Sequence, residues 1–248
     1  MKQELQIFFT ALMFFTRIPC PTWLNYSEAY LNQSIKYFPL IGWIVGGGAA
    51  LVFWFSTFIF PISIAIVLSM VSSILITGAF HEDGFADVCD GFGGGWAKTQ
   101  VLEIMKDSRV GTYAVIGITL ILLLKFSALQ AMPIEMIPFV LLAGHAISRF
   151  ASSLIIFKYH YVREEDSKAK PVAKKLSVKH FIIAGFFGVA PLLLLPSYHC
   201  LFAIMAVFLM TIYLGYFFTQ RIGGYTGDCL GATQQLTEIV FYLAMAIQ

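Results

Sequence analysis

The sequence predicts an all-α protein, a polytopic bundle of about seven membrane-spanning helices with an additional interfacial or re-entrant helix at the N-terminus. Hydrophobic residues make up 58% of the 248 residues, only 12% are charged, and the mean hydropathy is +0.79. A soluble domain of this length buries a full core with much less apolar sequence, so the excess is typical of a chain in a lipid bilayer. The apolar residues also fall into segments of roughly 20 residues, the length that crosses the hydrocarbon region.

These segments can be placed in order along the chain. Residues 5–18 are too short to span, and Pro19 and Pro21 stop them, so they are expected to lie at the interface or to re-enter. The spans are expected at about 37–59, 61–80, 110–131, 133–157, 181–196, 200–219 and 232–247. The first span has a small-residue face for close packing, formed by Gly42, Gly46, Gly47 and Gly48. No repeat or linker divides the chain, which predicts one membrane-embedded domain over residues 1–248.

This arrangement places nearly all basic residues on one side of the membrane. Apart from Lys125 and Arg149, every Lys and Arg falls on the side that holds residues 1–36 and the loops at 81–109, 158–180 and 220–231. The positive-inside rule places that side in the cytoplasm. We therefore expect a multi-pass protein of the cell inner (cytoplasmic) membrane, with its active-site loops facing the cytoplasm. The lipid bilayer is an expected partner, and nucleic acid is not.

The most unusual segment is the acidic, glycine-rich stretch from His81 to Gly95. Asp83, Asp87 and Asp90 are spaced i, i+4 and i+7, which puts them on one face of a helix. Carboxylates so close repel one another, and Mg²⁺ with its preference for oxygen ligands would relieve the repulsion; Glu82 is a fourth candidate ligand. The glycines at 93, 94 and 95 would let the backbone approach a phosphate. The alternative is a solvated acidic helix end followed by a flexible loop.

Two further motifs have residue types that suit a phosphate. In the first, the cations of Lys106 and Arg109 with Ser108 would bind phosphate oxygens, and Asp107 would add a metal ligand. The alternative is a basic cluster set by membrane topology. The second is a glycine-rich turn that leads into the last span, where Thr226 would bind an anion and Asp228 would join the metal ligands. The alternative is that one of these two residues is only a helix N-cap.

Several other polar residues have two interpretations. Charged residues within spans are costly and suggest a partner or polar cavity, so Arg149 could reach the phosphate, whereas snorkelling or structural pairing is the alternative for both Arg149 and Lys125. His81 is a metal ligand, a proton acceptor or a satisfied helix-end histidine, and His145 is expected to be structural.

Two further groups of residues are a polar loop and the four cysteines. The 158–180 loop could hold an anionic substrate through Arg163, Asp166 and Lys168, or simply lie near anionic headgroups. The four cysteines show no CxxC pairing, which argues against zinc and a disulfide framework.

Together these features indicate a Mg²⁺-dependent transfer of a phosphorus group at the cytoplasmic surface. The segments that carry them resemble the cobalamin synthase family, the adenosylcobinamide-GDP ribazoletransferases, over nearly the whole chain. The resemblance rests on His-Glu-Asp-Gly-Phe-Ala-Asp-Val-Cys-Asp-Gly-Phe-Gly-Gly-Gly at 81–95, Lys-Asp-Ser-Arg-Val-Gly-Thr-Tyr at 106–113, Gly-Gly-Tyr-Thr-Gly-Asp-Cys-Leu-Gly-Ala at 223–232 and Phe-Thr-Arg-Ile-Pro at 15–19. Phe85, Val88 and Cys89 depart from the usual family residues but affect no proposed ligand.

The resemblance implies the last assembly step of adenosylcobalamin. α-Ribazole or its 5′-phosphate would attack the cobinamide-bearing phosphorus of adenosylcobinamide-GDP, and GMP would leave, with Mg²⁺ as the cofactor. Asp83, Asp87 and Asp90 would bind Mg²⁺, while Lys106 and Arg109 would hold the diphosphate. His81 or a carboxylate would accept the proton of the ribazole hydroxyl. A homo-oligomer or a complex with other cobalamin-assembly enzymes would also be compatible with this role.

Two other functions remain open at this point. A CDP-alcohol phosphotransferase acting on lipid begins its acidic motif with Asp-Gly-x-x-Ala, which Asp83-Gly84-Phe85-Ala86 matches only partly. An ion-coupled transporter would use the acids as a cation site near mid-membrane. The position of the acids at the end of an expected span argues against a transporter.

Overall fold

The structure is a computed structural model that describes residues 2–24, 27–162, 176–195 and 197–247. Within them the chain is almost entirely α-helical, and its only pairing of extended backbone is an isolated bridge between Tyr161 and Tyr225. The all-α prediction is therefore confirmed. The helices are α1 (Lys2–Phe15), α2 (Glu28–Ser34), α3 (Phe38–Ser56), α4 (Ile62–Thr77), α5 (Phe80–Gly94), α6 (Lys98–Ile104), α7 (Thr112–Gln130), α8 (Ile137–Lys158), α9 (Val178–Val189), α10 (Ser197–Ile222) and α11 (Gly227–Met245).

The membrane character is confirmed, but the count of seven spans is not. Four helical stretches in the described chain are long and apolar enough to cross a membrane, namely Glu28–Ser56, Thr112–Gln130, Ile137–Lys158 and His199–Ile222. The pair α4 and α5 makes a fifth if it is one bent span, and Val178–Leu194 is a shorter apolar helix. The expected last span is α11, whose buried residues include polar ones, among them Gln234, Gln235 and Glu238. Its polarity reflects contacts inside the bundle rather than with lipid.

Helix α3 packs against α8 at very short range. A Cβ added at Gly42 would lie 2.3 Å from the backbone oxygen of His145, and one at Gly46 would lie 2.7 Å from that of Leu141. Only glycine allows the two backbones to approach so closely. The expected small-residue face is therefore used here, and it holds α8 in the centre of the bundle.

The chain bends sharply before the acidic segment, which the expected continuous span at 61–80 did not include. α4 and α5 meet at 90°. Gly78 (φ +66°) and Ala79 (φ +58°) both have left-handed backbone between them. Arg17 supports the bend, because its N–H donates to the Ile76 oxygen at 2.7 Å and its side chain lies against Gly78. Left-handed backbone ends a helix, so α5 starts in a new direction.

After the bend, α5 runs between α7 and α11. On the α7 side, a Cβ at Gly117 would lie 2.5 Å from Cys89 Sγ. On the α11 side, Gly84 lies against Gly231, with 3.4 Å between a Cβ at Gly84 and the Gly231 Cα. These close contacts hold the acidic helix within the bundle, so its position depends on α7 and α11.

Candidate active site

The aspartates of α5 line a cavity together with the loop that precedes α7. The cavity measures about 190 Å³ and is lined by Asp83, Ala86, Asp87, Asp90, Met105, Lys106, Asp107, Ser108, Arg109, Val110 and Ala114. The structure thus brings together three of the acids of the first motif and the four polar residues of the second. One wall is an acidic helix face, and the other is a loop with two cations.

Asp107 and Arg109 form an ion pair on the loop. Arg109 Nη2 lies 2.5 Å from Asp107 Oδ2, and Arg109 Nε donates to both carboxylate oxygens at 3.0 Å. Hydrogen bonds from Arg109 lower the pKa of Asp107 to about 2, and the same pairing raises the pKa of Arg109. Lys106 and Ser108 are exposed beside this pair. The loop therefore offers cationic and hydroxyl groups at the cavity mouth, with one carboxylate already paired to a guanidinium.

Asp90 has a structural task in addition to its place in the cavity wall. Its Oδ2 accepts the N–H of Gly111 at 2.6 Å, and its Oδ1 accepts the N–H of Ala114 at 2.9 Å. These are unpaired donors at the start of α7, so Asp90 caps that helix from a neighbouring one. Each carboxylate oxygen keeps a further lone pair for a cation.

A complete metal site formed by protein side chains alone does not occur in the described part of the chain. No group of three or more His, Cys, Asp or Glu residues there is arranged to hold a metal ion. Asp83, Asp87 and Asp90 follow one another along the helix axis and do not converge on one point. Mg²⁺ typically binds one or two carboxylates together with water and substrate phosphates. The donor set therefore suits a Mg²⁺ ion that the substrate helps to hold.

Two expected metal ligands do not line this cavity. Glu82 lies about 100° around the helix from Asp83, and its Oε1 accepts the side-chain N–H of Gln235 on α11 at 2.9 Å. Asp228 lies where α11 meets α5, with 3.1 Å between its Cα and a Cβ built at Gly84. Helix periodicity directs Glu82 toward the bundle interior, which a count of nearby acids does not reveal.

Of the glycines at 93–95, the first and the last lie in close helix packing. A Cβ at Gly93 would lie 2.6 Å from the Tyr113 ring, and one at Gly95 would lie 2.8 Å from Val101 Cγ2. None of the three lines the cavity. The small size of Gly93 and Gly95 lets Tyr113 and α6 approach the end of α5, whereas a Cβ at Gly94 would meet Ile104 Cδ1 at an ordinary 3.5 Å.

Three other expected site residues are buried away from the cavity. Thr226 is the N-cap of α11, with its Oγ1 accepting the Cys229 N–H at 3.3 Å, so the capping interpretation describes it. Arg149 donates from Nη1 to the His145 backbone oxygen at 2.9 Å inside α8. His81 stacks on Phe38 with 5.8 Å between ring centroids. Arg163, Asp166 and Lys168 lie outside the described residues.

Sequence reasoning missed one functional candidate, Glu238. This side chain is fully buried, forms an ion pair with Lys125, at 2.8 Å from Nζ, and lies 3.1 Å from His145 Nδ1. A single acid within an apolar C-terminal segment was the available signal, because intramembrane acids usually have a partner.

Fold and cavity define the class: a helical membrane protein with an acid- and base-lined cavity suited to phosphate and a divalent cation. The sequence profile of the cobalamin-5-phosphate synthase family matches residues 7–246. The chain is 45% identical over 248 residues to an adenosylcobinamide-GDP ribazoletransferase of Shewanella frigidimarina, an alignment that covers 98% of this chain and 95% of that relative. A Shewanella amazonensis enzyme of the same name is 46% identical over 253 residues, with 99% and 96% coverage.

A relative from another bacterial genus has the same name. The adenosylcobinamide-GDP ribazoletransferase of Leptospira interrogans is 43% identical over 263 residues, covering 100% of this chain and 97% of that relative. No solved structure matches the chain. The chain belongs to the cobalamin-5-phosphate synthase family.

Proposed function

We propose that this chain transfers the adenosylcobinamide phosphate group from adenosylcobinamide-GDP to α-ribazole or α-ribazole 5′-phosphate, the last assembly step of cobalamin biosynthesis. The ribazole hydroxyl oxygen bonds to the cobinamide-bearing phosphorus. The bond from that phosphorus to the bridging diphosphate oxygen breaks, GMP leaves with that oxygen, and the hydroxyl proton passes to a base. The observation that carries the proposal is the similarity, over nearly the full chain, to relatives named for this transfer.

The cavity supplies groups that suit the diphosphate. Lys106 and Arg109 lie on one wall and match the negative charge of phosphate oxygens. Arg109 is paired with Asp107, so a phosphate that binds Arg109 would compete with that carboxylate. The cavity of about 190 Å³ suits the reacting phosphates, while the corrin and nucleoside parts would lie outside it.

Mg²⁺ is the proposed cofactor, and oxygens of one or two of Asp83, Asp87 and Asp90 would hold it together with the substrate phosphates. When bound, the ion would stabilise the charge that develops on the phosphate and leaving-group oxygens. The carboxylates themselves hold negative charge at one wall, so the diphosphate requires a cation before it can lie against them. Asp83 is the most exposed of the three.

A cavity carboxylate is the better candidate for the proton acceptor. His81 is buried against Phe38 and does not line the cavity. Asp83 and Asp87 line it and lie on the acidic wall. A general base must come within hydrogen-bond reach of the hydroxyl that it deprotonates, which favours these aspartates.

We place the reaction at the cytoplasmic side of the inner membrane. The support is the distribution of Lys and Arg along the chain, which the positive-inside rule relates to the cytoplasmic side. The second motif, with Lys106 and Arg109, belongs to this basic side and contributes to the cavity.

A turnover assay tests the function and the cofactor together. Purified protein in liposomes is given adenosylcobinamide-GDP, α-ribazole and Mg²⁺, and GMP and the cobalamin product are followed. We expect Mg²⁺-dependent turnover by the parent and a loss of at least about 100-fold in Asp83→Asn and Asp87→Asn, since each removes a charge that acts on the reacting phosphate. Glu103→Gln is the matched control, an exposed acid on nearby α6 that does not line the cavity.

The outcomes separate the parts of the proposal. Product that survives both aspartate variants would keep the reaction and refute the metal site. A well-folded parent without product would refute the transfer itself. Lipid product from a CDP-linked donor would then favour a CDP-alcohol phosphotransferase, and substrate flux without covalent change would favour a transporter.

A further inference from the structure

The bundle interior contains a second group of charged and polar side chains, which we call the interior network. It connects four helices and consists of Glu82 on α5, Lys125 on α7, His145 and Arg149 on α8, and Gln234, Gln235 and Glu238 on α11. All are buried except Glu82, which is partly buried. None of them lines the aspartate cavity.

The centre of the interior network is Glu238. One carboxylate oxygen lies 2.8 Å from Lys125 Nζ and the other 3.1 Å from His145 Nδ1. Charges in a low-dielectric interior require partners, and loss of one partner leaves the other buried and uncompensated. The Lys125–Glu238 ion pair therefore holds α7 against α11, and the contact from His145 holds α8 against α11.

Gln235 connects this centre to α5. Its Oε1 accepts from Lys125 Nζ at 3.3 Å, and its Nε2 donates to Glu82 Oε1 at 2.9 Å. The side-chain amide of Gln235 thus contacts the Lys125–Glu238 ion pair through its oxygen. Its nitrogen contacts Glu82, the residue directly before Asp83. Among the described residues, the second oxygen of Glu82, Oε2, is buried without a hydrogen-bond partner, so Gln235 supplies the hydrogen bond of this carboxylate.

The bend before α5 makes this connection important for the orientation of α5. Because the backbone changes direction by 90° after α4, α4 does not hold α5 in line, and contacts made by α5 itself must set its orientation. Asp90 holds one end of α5 to the start of α7. Glu82 holds the other end to α11, about 12 Å away along the helix axis, and Asp83 and Asp87 lie between the two.

We propose that Glu82 is a positioning residue. Through Gln235 it joins α5 to the Lys125–Glu238 ion pair and so fixes the direction in which Asp83 and Asp87 face the cavity. This proposal rests on the proposed function, because the aspartates are its reacting wall. It assigns Glu82 a role different from metal ligation, although Glu82 lies beside a cavity aspartate in sequence.

Substitutions at both ends of the Glu82–Gln235 hydrogen bond test the proposal. Glu82→Leu and Gln235→Leu each remove it, and we expect kcat to fall about 10- to 100-fold with KM for adenosylcobinamide-GDP within about 3-fold, as for supporting residues of active sites. Glu82→Gln keeps a carbonyl acceptor and is expected to retain kcat within about 3-fold. The double Leu variant should be no worse than either single one, because both remove the same contact.

Amide hydrogen exchange gives a readout that needs no substrate. We expect residues 80–94 to lose protection in both Leu variants while α8 keeps it. Thr237→Val is the matched control, a buried α11 residue whose hydroxyl donates to backbone oxygens of its own helix, at Thr233 and Gln234. Unchanged exchange of α5, multiplicative kcat losses, or a Glu82→Gln variant as impaired as Glu82→Leu would each overturn the positioning role. No turnover by the parent would overturn the proposed function, and the exchange of α5 would still decide the connection.

Discussion

The aspartate cavity and the interior network use similar residues in opposite ways. In the cavity, Asp83, Asp87 and Asp90 lie along one helix face, where Asp83 is exposed and the other two are half-buried. In the described part of the chain, the cations that line the cavity lie on the opposite loop. In the interior network, Glu238 is fully buried between Lys125 and His145. Carboxylates that line a cavity can accept a cation and a phosphate, whereas paired charges in a low-dielectric interior hold helices together. Burial and pairing, more than residue type, separate the two roles.

The largest effect on stability is expected at Glu238. Glu238→Leu leaves Lys125 buried without its counter-charge, which should lower the free energy of unfolding by about 3–5 kcal/mol. The measurement is denaturant unfolding in detergent. Lys125→Met combined with Glu238→Leu removes both charges and should recover at least half of the loss. A double variant as unstable as the single one would show that the ion pair is not the cause.

A smaller effect is expected at Asp90, which belongs to the cavity but also caps α7. Asp90→Ala should lower the free energy of unfolding by about 1–2 kcal/mol, because the N–H groups of Gly111 and Ala114 lose their acceptor. Asp83→Ala should leave unfolding nearly unchanged, since its exposed side chain caps no helix in the described part of the chain. Thermal or denaturant unfolding of the two variants compares them directly. Equal losses of unfolding free energy in the two variants would show that Asp90 does not stabilise the fold by capping α7.

The smallest effect is expected at Asp107, whose side chain is exposed. Its pKa is lowered from the ordinary 3.8 to about 2 by Arg109. A carboxyl with a lowered folded-state pKa stabilises the fold above its ordinary pKa, and this contribution is lost as the pH falls from about 4 to about 2. The Arg109 pair should therefore persist unchanged between pH 5 and 8.

Solvent screens this exposed pair, so Asp107→Asn should leave the unfolding midpoint unchanged at pH 7. The variant should instead lower KM for adenosylcobinamide-GDP, because Arg109 no longer has to leave a carboxylate. Steady-state kinetics between pH 5 and 8 checks both statements. A shifted midpoint at pH 7, or a KM that rises, would contradict the assignment.

Local sequence features predicted what depends on local geometry. The spacing of Asp83, Asp87 and Asp90 indicates one helix face, and the structure places all three on one wall. Gly42 and Gly46 indicate close helix packing, which occurs against α8. The helices also lie near the expected segments, although the number that cross the membrane is four or five by length and composition in the described residues.

Contacts between residues far apart in sequence could be identified only from the tertiary structure. Glu82 was grouped with its neighbouring acids, but its position around the helix directs it to Gln235. Glu238 is a single acid in an apolar segment, which did not by itself indicate a role. Its pairing became clear only when the structure placed Lys125 and His145 beside it. Likewise, Gly93 packs under Tyr113 and Thr226 caps α11, roles that a phosphate-oriented interpretation of glycine and threonine did not distinguish.

The amino-acid sequence by itself determined the class of the protein, because apolar content and helical periodicity depend only on local order and composition. It also determined the acidic face of α5, since 100° per residue fixes which side chains share a side. Only the tertiary structure decided the 90° bend, the partners of each charge and the separation of cavity from interior network. These depend on helix packing, because pairing in a low-dielectric interior is settled by which side chains the packed helices bring within a few ångströms.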